Sequence, residues 1–478
     1  MERREFLQNA AALGLTIGTA SYRSLCGAAM NPTELRGHVV SASKPLRGVR
    51  VSDGFRVVTT DASGEFVIPV GPDSGPFLFV TTPAGYWTDQ FAIPIESAVR
   101  RKPVFDLQAG QVGQKYTAVY LTDVHLGEGH AERSYARFGA TIDEINALDP
   151  LPALCWVGGD ITLQGGKGER YVELMSRLKM PVRNAVGNHE MLVREADPRE
   201  RFHRLFGPTY YSFDVGSVHY VTLDGCQVNP QAEGYKNVEG RLSARELQWL
   251  AEDLRQVPAG MATVASVHIP LVSDYAERRG TTAERVPYWI MSNAEEVVDL
   301  LARHGVTLVL QGHLHENQRS RRKGIEFVES ISVCGRWWKA AEGSREHGVS
   351  GEPRGYRLLE IDGSSIRHRY QSSAEARVTT IGEIVGRPAR LAGDKETVLA
   401  INIYDATADA VVWASLDKES FVRLKRGTSH RYHEDLQPSH HWEWTVPALA
   451  LPAGPHRIRV RVKEPGADSA IFEHTVRV

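Results

Sequence analysis

The sequence predicts an α/β (α+β) protein built as a central β-sandwich covered by helices on both faces, four layers in all, between two small all-β sandwiches. Three observations carry this. Residues 115–371 alternate short β-branched runs with amphipathic helical stretches. Residues 35–107 and 378–478 show short strands at regular spacing with turn signals between them. Five of the central apolar runs end in clusters of Asp, Asn and His, which in an open α/β sheet places those side chains together outside the strand ends.

A chain of 478 residues is too long for one ordinary core, so several domains are expected. At 42% hydrophobic and 24% charged it reads as globular and soluble, not disordered. The net charge of −2 argues against a nucleic-acid partner bound through bulk positive charge. No apolar run reaches the roughly 18–20 residues of a transmembrane segment.

Residues 1–30 read as a targeting segment. Arg3-Arg4 precedes Phe6-Leu7, and an Ala/Gly/Leu/Thr stretch extends to Ala20. This resembles a twin-arginine export signal, which implies the twin-arginine export machinery as a partner and a periplasmic or secreted location. An amphipathic first helix fits less well, because the stretch has no polar face. Cys26 follows Arg23-Ser24-Leu25, a poor lipoprotein box. Removal of the signal leaves Cys155, Cys226 and Cys334, an odd and scattered set that is no disulfide framework, and Cys155 is expected as a buried apolar residue.

The N-terminal sandwich is expected over 33–110. Its first strand holds Gly37-His38-Val39-Val40, its second closes on the Asp53-Gly54 hairpin turn, and strand–turn–strand patterns follow at 59–68 and 77–86. The stretch resembles transthyretin-like or carboxypeptidase-regulatory-like modules. The central domain is expected over 114–372, with helices at 135–147, 169–178, 243–256 and 293–304. Ser243 and Glu246 form a capping-box pattern, and Asn293 and Gly305 suit the two ends of the last helix. Residues 211–215 and 219–223 read as an antiparallel pair, and 325–333 with 356–370 as a meander. After a polar linker at 372–376, strands at 398–404, 410–414, 456–462 and 472–478 predict a C-terminal sandwich over 378–478.

The chemistry lies in the central clusters: Asp123-Val124-His125, Gly158-Gly159-Asp160, Gly187-Asn188-His189-Glu190, His268, and Gly312-His313-Leu314-His315. Carboxylate, amide oxygen and imidazole without thiolate suit hard or borderline divalent metals. Any one of these residues alone is more simply a hydrogen-bonded core group. Together and in this order, each after a strand, they form a specific pattern. The three motif glycines allow sharp turns and close backbone approach.

With every element of its motif order present, the central domain resembles the calcineurin-like metallophosphoesterases, and the flanks resemble accessory domains of one bacterial branch of that family. The resemblance implies two divalent metal ions, Mn, Fe or Zn, one on Asp123, His125, Asp160 and His315 and the other on Asp160, Asn188, His268 and His313. Asp160 then bridges, offsetting cation repulsion, and a bridging hydroxide serves as nucleophile. His189 is implied as the acid for the leaving oxygen, with Glu190 orienting its imidazole.

Arg336 and Trp337 form either a substrate wall or a loop anchor, and the Pro353–Tyr356 stretch resembles a loop closing on the site, with Tyr356 as a contact. Glu128 and His130 line the pocket or are solvated. The His/Trp tracts at 429–433 and 439–444 read as strand-end packing ahead of metal or sugar binding. His203, His219 and His304 receive no role. The function expected is an exported binuclear-metal phosphohydrolase, acting as a phosphodiesterase on an envelope or extracellular phosphoester. The alternatives are a phosphomonoesterase of the same fold and a non-catalytic envelope binding protein.

Overall fold

The computed structural model describes residues 33–477 except 111, 128–129, 164–166, 192–196, 233, 342–343, 374–375, 379, 386–395, 428–435, 447–452 and 467. The expected export signal with Cys26, Glu128 and the 429–433 tract lie outside the described residues. Among those described, no helix is long and apolar enough to cross a membrane.

The centre is built from β1 (Lys115–Leu121), β2 (Leu154–Val157), β3 (Val182–Asn184), β4 (Tyr211–Val215), β5 (Val218–Thr222), β6 (Ala262–Ser266), β7 (Leu308–Gln311), β8 (Gln318–Arg322), β9 (Ile325–Glu329), β10 (Gly355–Asp362) and β11 (Ser365–Ser372). One sheet has the order β3-β2-β1-β10-β11 and the other β4-β5-β6-β7-β9-β8. β1, β2 and β3 run parallel, as do β5, β6, β7 and β9. The expected meander is therefore two separate hairpins: β8–β9 closes one sheet and β10–β11 the other.

The sheets face each other through aromatic side chains. Trp156 of β2 donates its indole N–H to Thr222 Oγ1 of β5 at 3.1 Å and packs edge-on against Tyr220. Alternation along β1 sends Ala118 and Tyr120 into this inter-sheet core, and Val119 and Leu121 into the opposite one. In that outer core they meet Phe138 and Ile142 of α1 (Ala131–Asn146) and Tyr171 and Leu174 of α2 (Lys167–Met175). On the other sheet, α3 (Ala244–Arg255) and α4 (Ala294–Arg303) bury Trp249, Leu250, Val297 and Leu301 in the core that holds Val264 and Leu308. The outcome is the expected helix–sheet–sheet–helix layering.

Helix ends differ from expectation in two details. Ser243 Oγ accepts from Glu246 N at 3.2 Å, but the Glu246 carboxylate accepts from Asp224 N at 2.7 Å instead of closing the box. Asn293 makes no cap to α4; its side chain pairs with both backbone groups of Leu242. Gly305 follows α4 with φ +72°, the left-handed conformation a helix C-terminus favours.

Residues 33–109 form two four-stranded sheets and a two-stranded one that joins Tyr86–Trp87 to Gln108–Ala109. The expected 59–68 hairpin is instead a crossover: Val57–Thr59 pairs with Arg50–Ser52, while Glu65–Val70 pairs with Thr33–Ser41 in the other sheet. Their core is continuous with the central one, where Phe79 meets Trp249 edge-on and Phe91 packs on Tyr211. Towards the C-terminus two further four-stranded sheets close around their own core. The tract at 439–444 contributes a strand, His441–Val446, whose Trp442 and Trp444 point into that core. Arg357 of β10 pairs with Asp405 across the junction between the central sheet and these strands.

Candidate metal centre

β1, β2 and β3 of one sheet and β6 and β7 of the other all end on one side of the sandwich, and the motif residues leave from those ends. The turns they make are unusual. Asp123, His125, Asp160, His313 and His315 all have left-handed backbones, with φ between 42° and 78°. For non-glycine residues this costs roughly 1–2 kcal/mol each and persists only where surrounding contacts over-determine it. In Asp-x-His and His-x-His the two strained residues flank an ordinary one, so both side chains are delivered to the same place.

The motif glycines work by close approach, not by their dihedrals. A Cβ on Gly187 would stand 2.2 Å from Asp160 Oδ1, and one on Gly312 would stand 2.3 Å from Thr122 Oγ1. Of the glycines in these motifs only Gly159 has a positive φ, at +104°.

The side chains converge in two groups. In the first, His125 Nε2 lies 3.1 Å from His315 Nε2 and 3.4 Å from Asp160 Oδ2, and His315 Nε2 lies 3.3 Å from Asp123 Oδ1. In the second, His268 Nε2 lies 3.1 Å from Asp160 Oδ2 and 3.2 Å from Asn188 Oδ1, and His313 joins Asp160 and His268. Donors held about 2.1 Å from one ion stand roughly 3.0–3.4 Å apart. These spacings fit that requirement, and the same oxygen, Asp160 Oδ2, belongs to both groups.

The far sides of three of the rings are fixed. His268 Nδ1 donates to the Gly158 carbonyl at 2.9 Å, His313 Nε2 to the Tyr288 carbonyl at 2.8 Å, and His315 Nδ1 to the Gly335 carbonyl at 2.7 Å. Each bond fixes the outer nitrogen as a donor and aims the other ring nitrogen inward, the usual arrangement behind a metal-bound histidine. Asp123 is steadied by Thr122 Oγ1 at 2.8 Å and by the His313 amide at 3.0 Å.

Electrostatics points the same way. Burial alone would push the carboxyls of Asp123 and Asp160 up. The nearby imidazoles outweigh it, holding Asp123 at about 2 and Asp160 well below the carboxylate range. His268 is pushed up to about 9, since Asp160 and Asp123 overcome its burial. His313 is lowered to about 4, by burial and by His268. Two buried carboxylates thus demand positive charge, which divalent ions supply.

Among the expected catalytic residues, His189 stands half-buried at the edge, its Nε2 4.0 Å from Asp160 Oδ2. Glu190 is elsewhere engaged. Its carboxylate accepts from the amides of Asp160, Ile161, Thr162 and Gly187 at 2.7–3.1 Å, so it holds the metal-binding turn and does not orient His189. Trp337 reaches the site, with its ring centroid 4.5 Å from that of His315, while Arg336 is exposed. Tyr356 does not: it is fully buried beside Val119 and Phe138, and its hydroxyl donates to Glu144. The stretch before it closes no loop on the site either, since Arg354 is buried against Thr141 and the Val333 carbonyl. His130 is exposed at the start of α1. The three carbonyls behind the histidines carry no side-chain signal. Cys334, whose Sγ lies 3.8 Å from His315 Nδ1, was legible only as a leftover thiol.

A profile described as "Calcineurin-like phosphoesterase" matches residues 116–317, and the N-terminal and C-terminal profiles of the same family match 33–94 and 329–429. The chain belongs to the calcineurin-like phosphoesterase family. It is a metal-dependent phosphoesterase with that family's fold, and it uses two divalent metal ions. A 3′,5′-cyclic-nucleotide phosphodiesterase of Nostoc sp. is 25% identical over 255 residues, covering 50% of this chain and 86% of the relative. A serine/threonine-protein phosphatase of Homo sapiens is 27% identical over 252 residues, covering 49% and 72%. The purple acid phosphatase of yellow lupin seeds aligns in structure with TM-score 0.39 and 12% identity over 70% of this chain and 68% of that one.

Proposed function

We propose that this phosphoesterase is an exported phosphodiesterase acting on an envelope or extracellular phosphoester, with Asp123, His125, Asp160 and His315 holding one ion and Asp160, Asn188, His268 and His313 the other. The observation that carries the site assignment is the sharing of Asp160 Oδ2 between two donor groups at metal-binding spacing. Two divalent ions held by these residues would supply Lewis-acid charge for the phosphate oxygens and would lower the pKa of an attacking water.

The protein's own residues supply the rest. Asp160, whose Oδ2 lies near both His125 and His268, would offset the repulsion of two cations with its negative charge. Glu190 fixes the turn that presents Asp160. His189 stands half-buried at the rim, its Nε2 4.0 Å from Asp160 Oδ2, and delivers a proton to the leaving alkoxide.

Diester cleavage is supported by the cyclic-nucleotide phosphodiesterase among the relatives. Export is supported by Arg3-Arg4 and by three buried, unpaired thiols, which fit a chain that folds before crossing the membrane.

The test is hydrolysis of aryl phosphomonoesters and aryl phosphodiesters by metal-reconstituted protein. Higher kcat/KM on the diester is expected. A clear preference for the monoester establishes the phosphatase reading instead, and no turnover of either with two ions bound returns the domain to a binding role.

A further inference from the structure

The turn Gly335–Trp338 lies beyond residue 317, where the match to the catalytic profile ends, and inside the 329–429 segment. Its geometry is nevertheless tied to one half of the metal centre. Gly335, Trp337 and Trp338 all have left-handed backbones, with φ of 59°, 57° and 58°. Two tryptophans in succession in that region require strong contacts to hold them.

Those contacts are specific. The Gly335 carbonyl accepts the His315 Nδ1 proton at 2.7 Å. The Trp337 ring lies over His315 at 4.5 Å and 32° between planes, and 5.9 Å from His125. The fully buried Trp338 donates its indole N–H to the Val124 carbonyl at 2.9 Å, in the middle of the strained Asp123-Val124-His125 turn. Behind it, the Arg354 guanidinium covers the Trp338 ring at 5.1 Å, and Arg133 anchors the Ala340 carbonyl at 2.6 Å.

The other donor group is held differently, through the carbonyls of Gly158 and Tyr288. Among the described residues the turn's recorded contacts with metal-site side chains are to His125 and His315, and none is to Asn188, His268 or His313.

We propose that Gly335–Trp338 is an outer clamp for the ion held by Asp123, His125 and His315, with Trp337 and Trp338 as positioning residues. This rests on the assignment of two separate ion positions. The C-terminal segment then sets the affinity of one ion and leaves its neighbour alone. Groups that orient metal ligands are typically worth roughly 10–100-fold in metal affinity.

The experiment is titration of the metal-free full chain with Mn2+ or Zn2+ against a chelating indicator, for the unaltered protein, Trp337→Ala, Trp337→Phe and Trp338→Phe. Trp337→Ala and Trp338→Phe are expected to weaken one of two binding steps roughly 10–100-fold and leave the other in place. Trp337→Phe, which keeps a stacking ring, is expected to restore most of the loss. Equal weakening of both steps, or no change in either, overturns the clamp. A single binding step in the unaltered protein overturns the two-position assignment itself, and the clamp with it. Trp337 is only half-buried, so Trp337→Ala decides the matter alone if Trp338→Phe fails to fold.

Discussion

The imidazole of His189 meets that of His125 edge-on, with ring centroids 4.4 Å apart and planes at 87°. His125 is fully buried among the metal-binding donors, whereas His189 is partly open to solvent. A ring packed on a ligand while facing the rim is placed to meet a substrate atom. His189→Ala is therefore expected to keep both ions and lose rate according to the leaving group. An ester of nitrophenol, which departs without a proton, should lose little kcat/KM. An alkyl ester should lose on the order of 10²–10⁴-fold. Elemental analysis alongside the kinetics decides it: equal losses on both esters, or a missing ion, remove His189 from the acid role.

Among the described residues, Asp160 is the side chain common to both donor groups. Asp160→Asn removes the negative charge between two cations while keeping the size. The expected result is at most one ion per chain and almost no turnover. Two tightly bound ions with ordinary activity in this variant would contradict the bridging assignment.

Glu190 gathers four backbone amides at a buried turn. Glu190→Ala leaves all four without that acceptor. Each unsatisfied buried group costs about 1–3 kcal/mol, and partial relaxation brings the expected destabilisation to roughly 3–5 kcal/mol. Denaturant unfolding of the metal-loaded protein measures it. A loss under about 1 kcal/mol would mean the turn holds itself together without the carboxylate.

The donors were legible in the sequence because each follows an apolar run directly, and parallel strands carry their ends to one side of the sheet. What lies behind the donors was not legible. Backbone carbonyls at Gly158, Tyr288 and Gly335 have no residue-type signature. Glu190 was paired with His189 because a carboxylate partner commonly orients a catalytic histidine. Successive side chains on the one-turn helix Asn188–Met191 point apart, however, and the carboxylate turns inward to the backbone. Tyr356 and Arg354 were read as loop residues because the Pro353–Tyr356 stretch resembles a loop that closes on the site. Both are buried, with polar partners inside the fold. The strand His441–Val446 was hidden for a related reason: His441 and the preceding His440 are buried and hydrogen-bonded, which composition alone does not reveal.

Export through Arg3 and Arg4 predicts that replacing both with Lys retains the protein in the cytoplasm. Fractionation and immunodetection of the mature chain read the outcome. Unchanged delivery to the envelope would exclude the twin-arginine route.

His219 received no role from the sequence, yet it joins two parts of the molecule. It is fully buried, with Nδ1 2.7 Å from Asp214 Oδ1 and Nε2 2.8 Å from Asp253 Oδ2. Arg50, from the N-terminal sheets, reaches the same Asp214 at 2.7 Å and lies 4.0 Å from Asp253. Burial alone would lower the imidazole; the two aspartates outweigh it and raise it above its ordinary value. The protonated ring therefore stabilises the fold fully below about pH 6.5, and that contribution is lost as the pH rises through the higher folded value. Asp253 has the opposite sign: the neighbouring cations outweigh burial and hold it below its ordinary value, so its contribution fades only in acid. His219→Gln leaves two buried carboxylates with Arg50 as their remaining cation among the described residues, and is expected to cost about 3–5 kcal/mol at pH 6. The difference from the unaltered protein should shrink as the pH is raised, because the unaltered protein is then losing the same proton. Urea unfolding of both metal-loaded proteins from pH 6 to pH 9 measures this. A constant difference across that range would show that His219 acts through packing and hydrogen bonding alone, without its charge.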